Sequence, residues 1–289
     1  MRRALVVVNP IAGRGAAQRC LPRLEKGLRD SGLEPTVAAT AAPGDAEAMA
    51  RDLAPDHDLV VVVGGDGTLN EVLNGLGADR PLALFPVGTG NVVAKELRLP
   101  RRIGAFCRMI AGGRERVLDV GSASGRRFLA FVGAGFDALV AARMAQRRTG
   151  AIRMADYVGL VLSSLATYDF PRITVTVDGA APVASRGFAL VSNVRSYGGP
   201  FVITPAAKYD DGQLDVCVLP RASRARYAWT MLGLIARLPA ALVGARHLRG
   251  RRVRLEADRE VHYQVDGDPA GTLPVEIQLL ERKARLVVP

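Results

Sequence analysis

The stretch that most constrains the fold is Val60-Val61-Val62-Val63-Gly64-Gly65-Asp66-Gly67-Thr68-Leu69-Asn70-Glu71. Four successive valines make a strand buried on both faces, because β-branched side chains suit pleated backbone and no polar residue interrupts them. Three glycines within the next four residues let the chain turn sharply and bring its backbone close to a ligand. A helix follows, from Thr68 to Gly75. Its first turn offers unpaired N–H groups and a positive dipole end, a seat for phosphate. Gly64, Gly65, Gly67, Thr68, Asn70 and Glu71 are therefore candidate nucleotide contacts. Asp66 is out of place beside an anion unless a metal ion is bound or a proton is moved. Without a ligand, the same residues read as a tight turn with Asp66 and Thr68 capping a helix.

A second such turn is Leu82-Ala83-Leu84-Phe85-Pro86-Val87-Gly88-Thr89-Gly90-Asn91. It too ends an apolar strand and opens a helix, so Gly88, Thr89, Gly90 and Asn91 join the candidates. A third follows the apolar run Leu5–Asn9, where Asn9, Pro10 and Gly13 shape a turn and Arg14 can neutralise phosphate. Thr40, after a short strand at Pro35–Ala39, is a fourth. With helices at Ala16–Ser31 and Asp45–Leu53, this alternation predicts a parallel sheet covered on both faces, with ligands beyond the carboxyl ends of its strands. The pattern GxxxxGK[ST] is absent, so phosphate has to be held by backbone amides and arginine.

The chain is 289 residues long with 49% hydrophobic residues, enough for one large or two ordinary domains. After about residue 121 the pattern turns to alternating strands at 128–133, 172–178, 187–194, 214–219, 251–257, 261–265 and 275–280, with helical stretches at 137–168 and 222–245. We therefore expect a Rossmann-like parallel-sheet α/β domain over 1–121 and a β-rich, antiparallel sandwich-like domain over 122–280. A final strand in 281–289 is expected to return to the first domain. Cys20, Cys107 and Cys217 form no CxxC pair, and His57, His247 and His262 form no HExxH, which argues against a disulfide scaffold, a zinc ribbon or a histidine metal site.

Three segments of the second half carry polar signals. Phe131-Val132-Gly133-Ala134-Gly135-Phe136-Asp137-Ala138 fits a dinucleotide fingerprint, but the acidic partner expected at the end of a second strand is missing, because Asp156 falls inside a helical pattern. Lys208-Tyr209-Asp210-Asp211-Gly212-Gln213-Leu214-Asp215 is either a metal loop or an Asp–Gly turn. Gln264-Val265-Asp266-Gly267-Asp268-Pro269 is a hairpin turn by its residues, with two acids able to take a proton from a hydroxyl.

In order along nearly the whole chain, Asn9-Pro10 with Gly13, Gly64–Asn70, Gly88–Asn91, Gly133–Asp137, Asn193 with Gly198-Gly199, Asp210-Asp211-Gly212 and Asp266-Gly267-Asp268 resemble the diacylglycerol kinase catalytic-domain family, in its bacterial soluble lipid kinase branch, which is related to sphingosine and ceramide kinases. The resemblance implies an ATP- and magnesium-dependent lipid kinase of lipid metabolism and phospholipid biosynthesis. It implies ATP contacts at Asn9–Gly13, Thr40, Gly65–Glu71 and Thr89, and a magnesium-linked network at Asp66. It further implies a nucleotide cleft between the two domains, a structural magnesium at Lys208, Asp211 and Gln213, the first and last through main-chain oxygen, and catalytic roles for Asp266 and Asp268, one of them as base. Two departures stand out. Val92-Val93 replaces the Asp-Phe that many diacylglycerol-type members carry, and the final motif ends in Asp268 instead of glutamate. NAD kinase shares a GGDGT turn, but the Gly88–Asn91 turn is unexpected there. A catalytically silent lipid- or nucleotide-binding regulator is the other alternative.

A net charge of +11, with lysine only at positions 26, 95, 208 and 283 so that 35 of 39 basic residues are arginine, favours anionic partners. Under the resemblance that partner is a lipid at a membrane surface and not nucleic acid, and a homodimer is allowed. No secretory segment and no run of eighteen uncharged apolar residues is present. The expected location is therefore cytoplasmic, with peripheral association to the inner membrane face. Arg224–Arg252, apolar from Trp229 to Val243 and arginine-rich at its ends, reads either as an interfacial helix or as a helix covering a sheet, with Pro239 favouring the latter.

Overall fold

The computed structural model describes residues 2–77, 80–146, 154–197, 201–220 and 244–289, together with 223–225, 227, 229 and 233. The chain divides into two units, Met1–Val120 with Glu281–Pro289, and Gly121–Leu280.

The first unit alternates strand and helix. Its elements are β1 (Arg2–Val8), α1 (Ala12–Asp30), β2 (Leu33–Ala39), α2 (Asp45–Leu53), β3 (Leu59–Gly64), α3 (Asp66–Gly75), β4 (Leu82–Pro86), α4 (Val92–Glu96) and α5 (Ile103–Gly112), with β5 (Glu115–Ala123) leading out. Strands β1 and β2, β1 and β3, and β3 and β4 pair in parallel. Every residue of β3 and β4 is buried, as a strand covered on both faces must be. Helix α5 was not expected, although Ile103, Phe106, Cys107 and Ile110 mark a helical apolar stripe. Phe106 is fully buried and meets Phe85 of β4 edge-on at 5.1 Å between ring centres.

The second unit holds β6 (Arg126–Phe128), β7 (Phe131–Gly135), α6 (Phe136–Gln146), α7 (Met154–Thr167), β8 (Arg172–Val177), β9 (Val183–Arg186), β10 (Phe188–Ser192), β11 (Ser196–Tyr197), β12 (Phe201–Val202), β13 (Leu214–Val218), β14 (Arg246–Gly250), β15 (Arg252–Ala257), β16 (His262–Val265), β17 (Asp268–Thr272) and the start of β18 (Val275–Val287). One sheet runs β14-β13-β10-β7-β16-β17, and facing strands run β18-β15-β8-β9, all antiparallel within the unit. Their alternating apolar residues meet in one core. Ile173, Val175, Val253, Leu255 and Ile277 come from one side, and Val132, Ala189, Val191, Val216 and Val265 from the other. This is the sandwich expected of period-two patterning.

Three sequence expectations change. Residues 275–280 and the returning strand are one strand, β18, without a break. In the charged run Glu281-Arg282-Lys283, which continues as strand, both basic residues find partners within the first unit: Arg282 donates to the Gly77 carbonyl at 2.7 Å, and Lys283 pairs with buried Asp119. The stretch 137–168 contains two helices, α6 and α7. The apolar stretch Trp229–Val243 lies largely outside the described residues, and the arginines at its far end stand on strands, Arg246 and Arg249 on β14 and Arg252 on β15. Gly198 and Gly199 also lie outside the described residues. Among the described residues, no helix is long and apolar enough to cross a membrane.

Candidate active site

Three glycine-bearing turns lie at the carboxyl ends of β1, β3 and β4 and pack on one another within the first unit. The backbone ladders continue past the strand ends: Asn9 N–H donates to the Val63 carbonyl at 3.0 Å, and Val87 N–H to that of Gly64 at 3.0 Å. A Cβ on Gly88 would sit 2.5 Å from the Gly65 Cα, so the second and third turns touch backbone to backbone. A Cβ on Gly13 would overlap the Val87 carbonyl oxygen. Gly13, Arg14 and Gly15 all have positive φ, which lets the chain curl before regular helix begins at Ala16.

Side chains lock the same cluster. The Asn9 amide reaches Thr68 Oγ1 at 3.5 Å. Asp66 Oδ1 accepts from Val92 N–H at 2.8 Å and from Val93 N–H at 3.4 Å, which ties the GGDG turn to the start of α4. Burial raises the Asp66 carboxyl above its ordinary value, opposed by these amides. Asn91 adopts positive φ and donates to the Gly88 carbonyl, while its Oδ1 is buried with no hydrogen-bond partner among the described residues. Thr89 is exposed, Gly67 and Gly90 are half-buried, and Arg14 is exposed at the rim. Thr40 donates its N–H to the Val8 carbonyl at 2.9 Å, at the end of β2.

Two candidates do other work. Glu71 Oε2 accepts from Ala46 N–H at 3.2 Å, so its carboxylate sits at the amino end of α2, where an anion is favourable. Asn70 is buried, and its oxygens accept from Asn74. Both residues support the turn from behind.

In the second unit, Asp266 and Gly267 are the two loop residues of the β16–β17 hairpin, both with positive φ, and Val265 pairs with Asp268. This is a primed turn, which suits Asp–Gly. The Asp266 carboxylate accepts three backbone N–H groups, Leu129 at 3.1 Å, Ala130 at 3.0 Å and Phe131 at 2.9 Å. It is thus held in a single orientation, with Asp268 two residues further on.

The loop expected to hold magnesium is closed by protein groups instead. Asp211 Oδ2 pairs with the Arg249 guanidinium, and Oδ1 accepts from Gln213 N–H at 3.2 Å. Arg249 also reaches Asp215 Oδ1 at 3.3 Å. Asp215 is buried, its carboxyl raised by that burial against the pull of Arg249, and its Oδ2 has no partner among the described residues. Of the three expected ligands, Asp211 has its carboxylate held by Arg249 and by the Gln213 amide, while Lys208 and Gln213 were expected to serve through main-chain oxygens, and we derive no step through a metal there. Arg249 was missed because it is distant in sequence and one of many arginines.

The mid-chain GxGxxA pattern is a packing device and not a dinucleotide turn. A Cβ on Gly135, at φ 102°, would overlap the Gly187 carbonyl. At Gly133 a Cβ would overlap Asp137 Oδ2 and lie 2.7 Å from Gln264 Nε2.

The family model "Diacylglycerol kinase catalytic domain" matches residues 3–123, and "YegS C-terminal NAD kinase beta sandwich-like domain" matches residues 130–288. A curated diacylglycerol kinase of Mycobacterium tuberculosis is 30% identical over 98% of this chain and 94% of its own length. One of Bacillus subtilis is 28% identical over 100% and 97%. The crystal structure of a diacylglycerol kinase from Bacillus anthracis superposes with a TM-score of 0.80 at 26% identity, covering 100% of this chain and 97% of that one. An NAD kinase from Archaeoglobus fulgidus, solved in complex with ATP, shares the fold, with a TM-score of 0.55 at 15% identity over 99% and 93% of the two chains. With its ordered turns, its sandwich unit and these full-length likenesses, the chain belongs to the diacylglycerol kinase catalytic-domain family.

Proposed function

We propose that the protein is a lipid kinase that transfers the γ-phosphoryl group of MgATP to a hydroxyl of diacylglycerol or a related lipid. The observation that carries this reading is the cluster of turns after β1, β3 and β4, where glycines bring backbone against backbone at the carboxyl ends of parallel strands and at the start of α3. Phosphoryl transfer asks a protein chiefly for positioning and for charge stabilisation. Backbone amides at the start of α3, with Arg14 at the rim, supply both for a triphosphate. Asp66 keeps two of the turns in register through the Val92 and Val93 amides. Magnesium enters with the nucleotide as part of the substrate.

The acceptor side is assigned to the Asp266–Asp268 hairpin. The lipid hydroxyl oxygen attacks the γ-phosphorus, the bond to the bridging oxygen breaks, ADP leaves, and the hydroxyl proton passes to a hairpin carboxylate. The names of the relatives support diacylglycerol as the acceptor class, and the excess of arginine suits peripheral contact with an anionic membrane. Incubation with radiolabelled ATP and a panel of diacylglycerol, ceramide, sphingosine and NAD tests the reading. Label in a lipid is the expected result. Label in NAD assigns the chain to the other kinase, and ATP binding without transfer to any acceptor makes it a silent regulator.

A further inference from the structure

Behind the hairpin lies a buried polar chain that the reaction outlined above does not use. Gln264 is 1% exposed and stands opposite Gly133 in the β16–β7 register. Its Oε1 accepts from Gly267 N–H at 2.6 Å, and its Nε2 donates to Asp137 Oδ2 at 3.3 Å. Tyr197 donates its hydroxyl to the same Oδ2 at 3.0 Å. The chain has one polarity. Gly267 N–H only donates, so it selects the carbonyl end of the Gln264 amide, and the NH₂ end needs an acceptor on the other side. Asp137 is that acceptor.

The missing Cβ of Gly133 leaves the space in which carboxylate and amide meet. Asp137 stands in the first turn of α6, with Oδ1 buried and without a hydrogen-bond partner among the described residues. Such an acid costs stability, and burial pushes its carboxyl up from the ordinary range, opposed by Gln264 and Tyr197.

We propose that Asp137 is a positioning residue for the Asp266–Gly267–Asp268 hairpin, acting through the Gln264 amide. It fixes the amide's orientation, the amide holds the Gly267 N–H, and the turn that carries both acids keeps one geometry. Three amides anchor Asp266 from the β6–β7 connection and the start of β7, so the turn is clamped from two sides. The catalytic part of this role rests on the lipid kinase reading, whereas the structural part does not.

The test uses full-length protein labelled with ¹⁵N-glycine, in which amide exchange at Gly267 is followed by NMR alongside lipid phosphorylation kinetics. Asp137→Ala is expected to speed Gly267 exchange about tenfold, the loss of one buried hydrogen bond. It is expected to lower kcat about 10- to 100-fold, the effect of a small misplacement, with the KM for ATP within about twofold of wild type. Asp137→Asn keeps an acceptor oxygen and is expected to restore both exchange and kcat. Gln264→Leu removes the Gly267 acceptor itself and sets the exchange rate of a fully cut chain, which Asp137→Ala should approach; Asp137→Leu, which fills more of the space, decides the matter if Asp137→Ala does not fold. Unchanged Gly267 exchange in the variants overturns the proposal. So does a fall in kcat without faster exchange, which makes Asp137 a substrate contact, and so does an asparagine variant as impaired as alanine. If wild-type protein phosphorylates no acceptor, the kinase reading falls, and Gly267 exchange alone decides whether Asp137 positions the turn.

Discussion

The two units build their candidate sites from different materials. In the first, backbone meets backbone: Gly65 lies against Gly88 and Gly13 against the Val87 carbonyl, with few side chains involved. In the second, side chains far apart in sequence meet. Asp266 reaches the amides of residues 129–131, and Gln264 reaches Asp137. A backbone-built site tolerates no added atom at its glycines but asks little of its neighbours. A network site depends on every member finding its partner, because each unpaired buried group costs stability.

The contrast can be broken most severely at the acids. Asp268→Asn and Asp266→Asn should each lower kcat by about 10²- to 10⁴-fold if they act on the hydroxyl proton. Affinity for ATP, which the first unit is proposed to bind, should stay within about threefold. Steady-state kinetics on a lipid acceptor, together with nucleotide titration, separate the two effects. Loss of ATP binding in either variant would mean that the division of labour is wrong.

Gly88→Ala tests the backbone-built side. Its Cβ meets the Gly65 Cα and N, which cannot move aside as a flexible side chain could. Overpacking of this kind costs about 1–3 kcal/mol, so ATP should bind about 10- to 100-fold more weakly, measurable by calorimetry. Unchanged affinity would show that the turns are not the nucleotide seat.

Gly133→Ala tests the network side. The added Cβ displaces Asp137 and Gln264, leaving buried polar groups unpaired at about 1–3 kcal/mol. Urea unfolding should read that loss, with ATP affinity unchanged.

The smallest effect concerns pH. Because burial raises the Asp137 carboxyl, the folded chain keeps this proton at pH values where the unfolded chain has released it. Above the unfolded value the wild type therefore loses stability as pH rises, until the folded group ionises as well. Asp137→Asn cannot ionise and should be more stable than wild type near neutral pH, with the gap closing toward about pH 4. Chemical denaturation at the two pH values checks this, and a gap that widens in acid would contradict it.

The same contrast explains what could be read in advance. Strand β4 and helix α2 have the expected bounds, and the turns after β1, β3 and β4 stand where their glycines announced them. Local patterns carry that information, because a valine run and the glycines after it act within a few residues of each other. Gln264 was hidden for the opposite reason. Period-two alternation in β16 reads it as a solvent-facing residue, yet it is buried against α6. Arg249 was equally silent, one arginine among many until β13 and β14 pair and set it beside Asp211 and Asp215. The unbroken β18 was obscured by Glu281-Arg282-Lys283, whose two basic residues find partners elsewhere in the first unit.

By itself, the order of residues determined the fold class, the family and the seats of the glycine turns, because hydrophobic period and backbone freedom are properties of neighbours along the chain. Only the tertiary structure decided which oxygen of each acid is occupied, that Arg249 pairs with Asp211 and Asp215, and that Asp137 and Gln264 meet across Gly133. Those outcomes turn on strand register and on the direction of side chains brought together from distant segments.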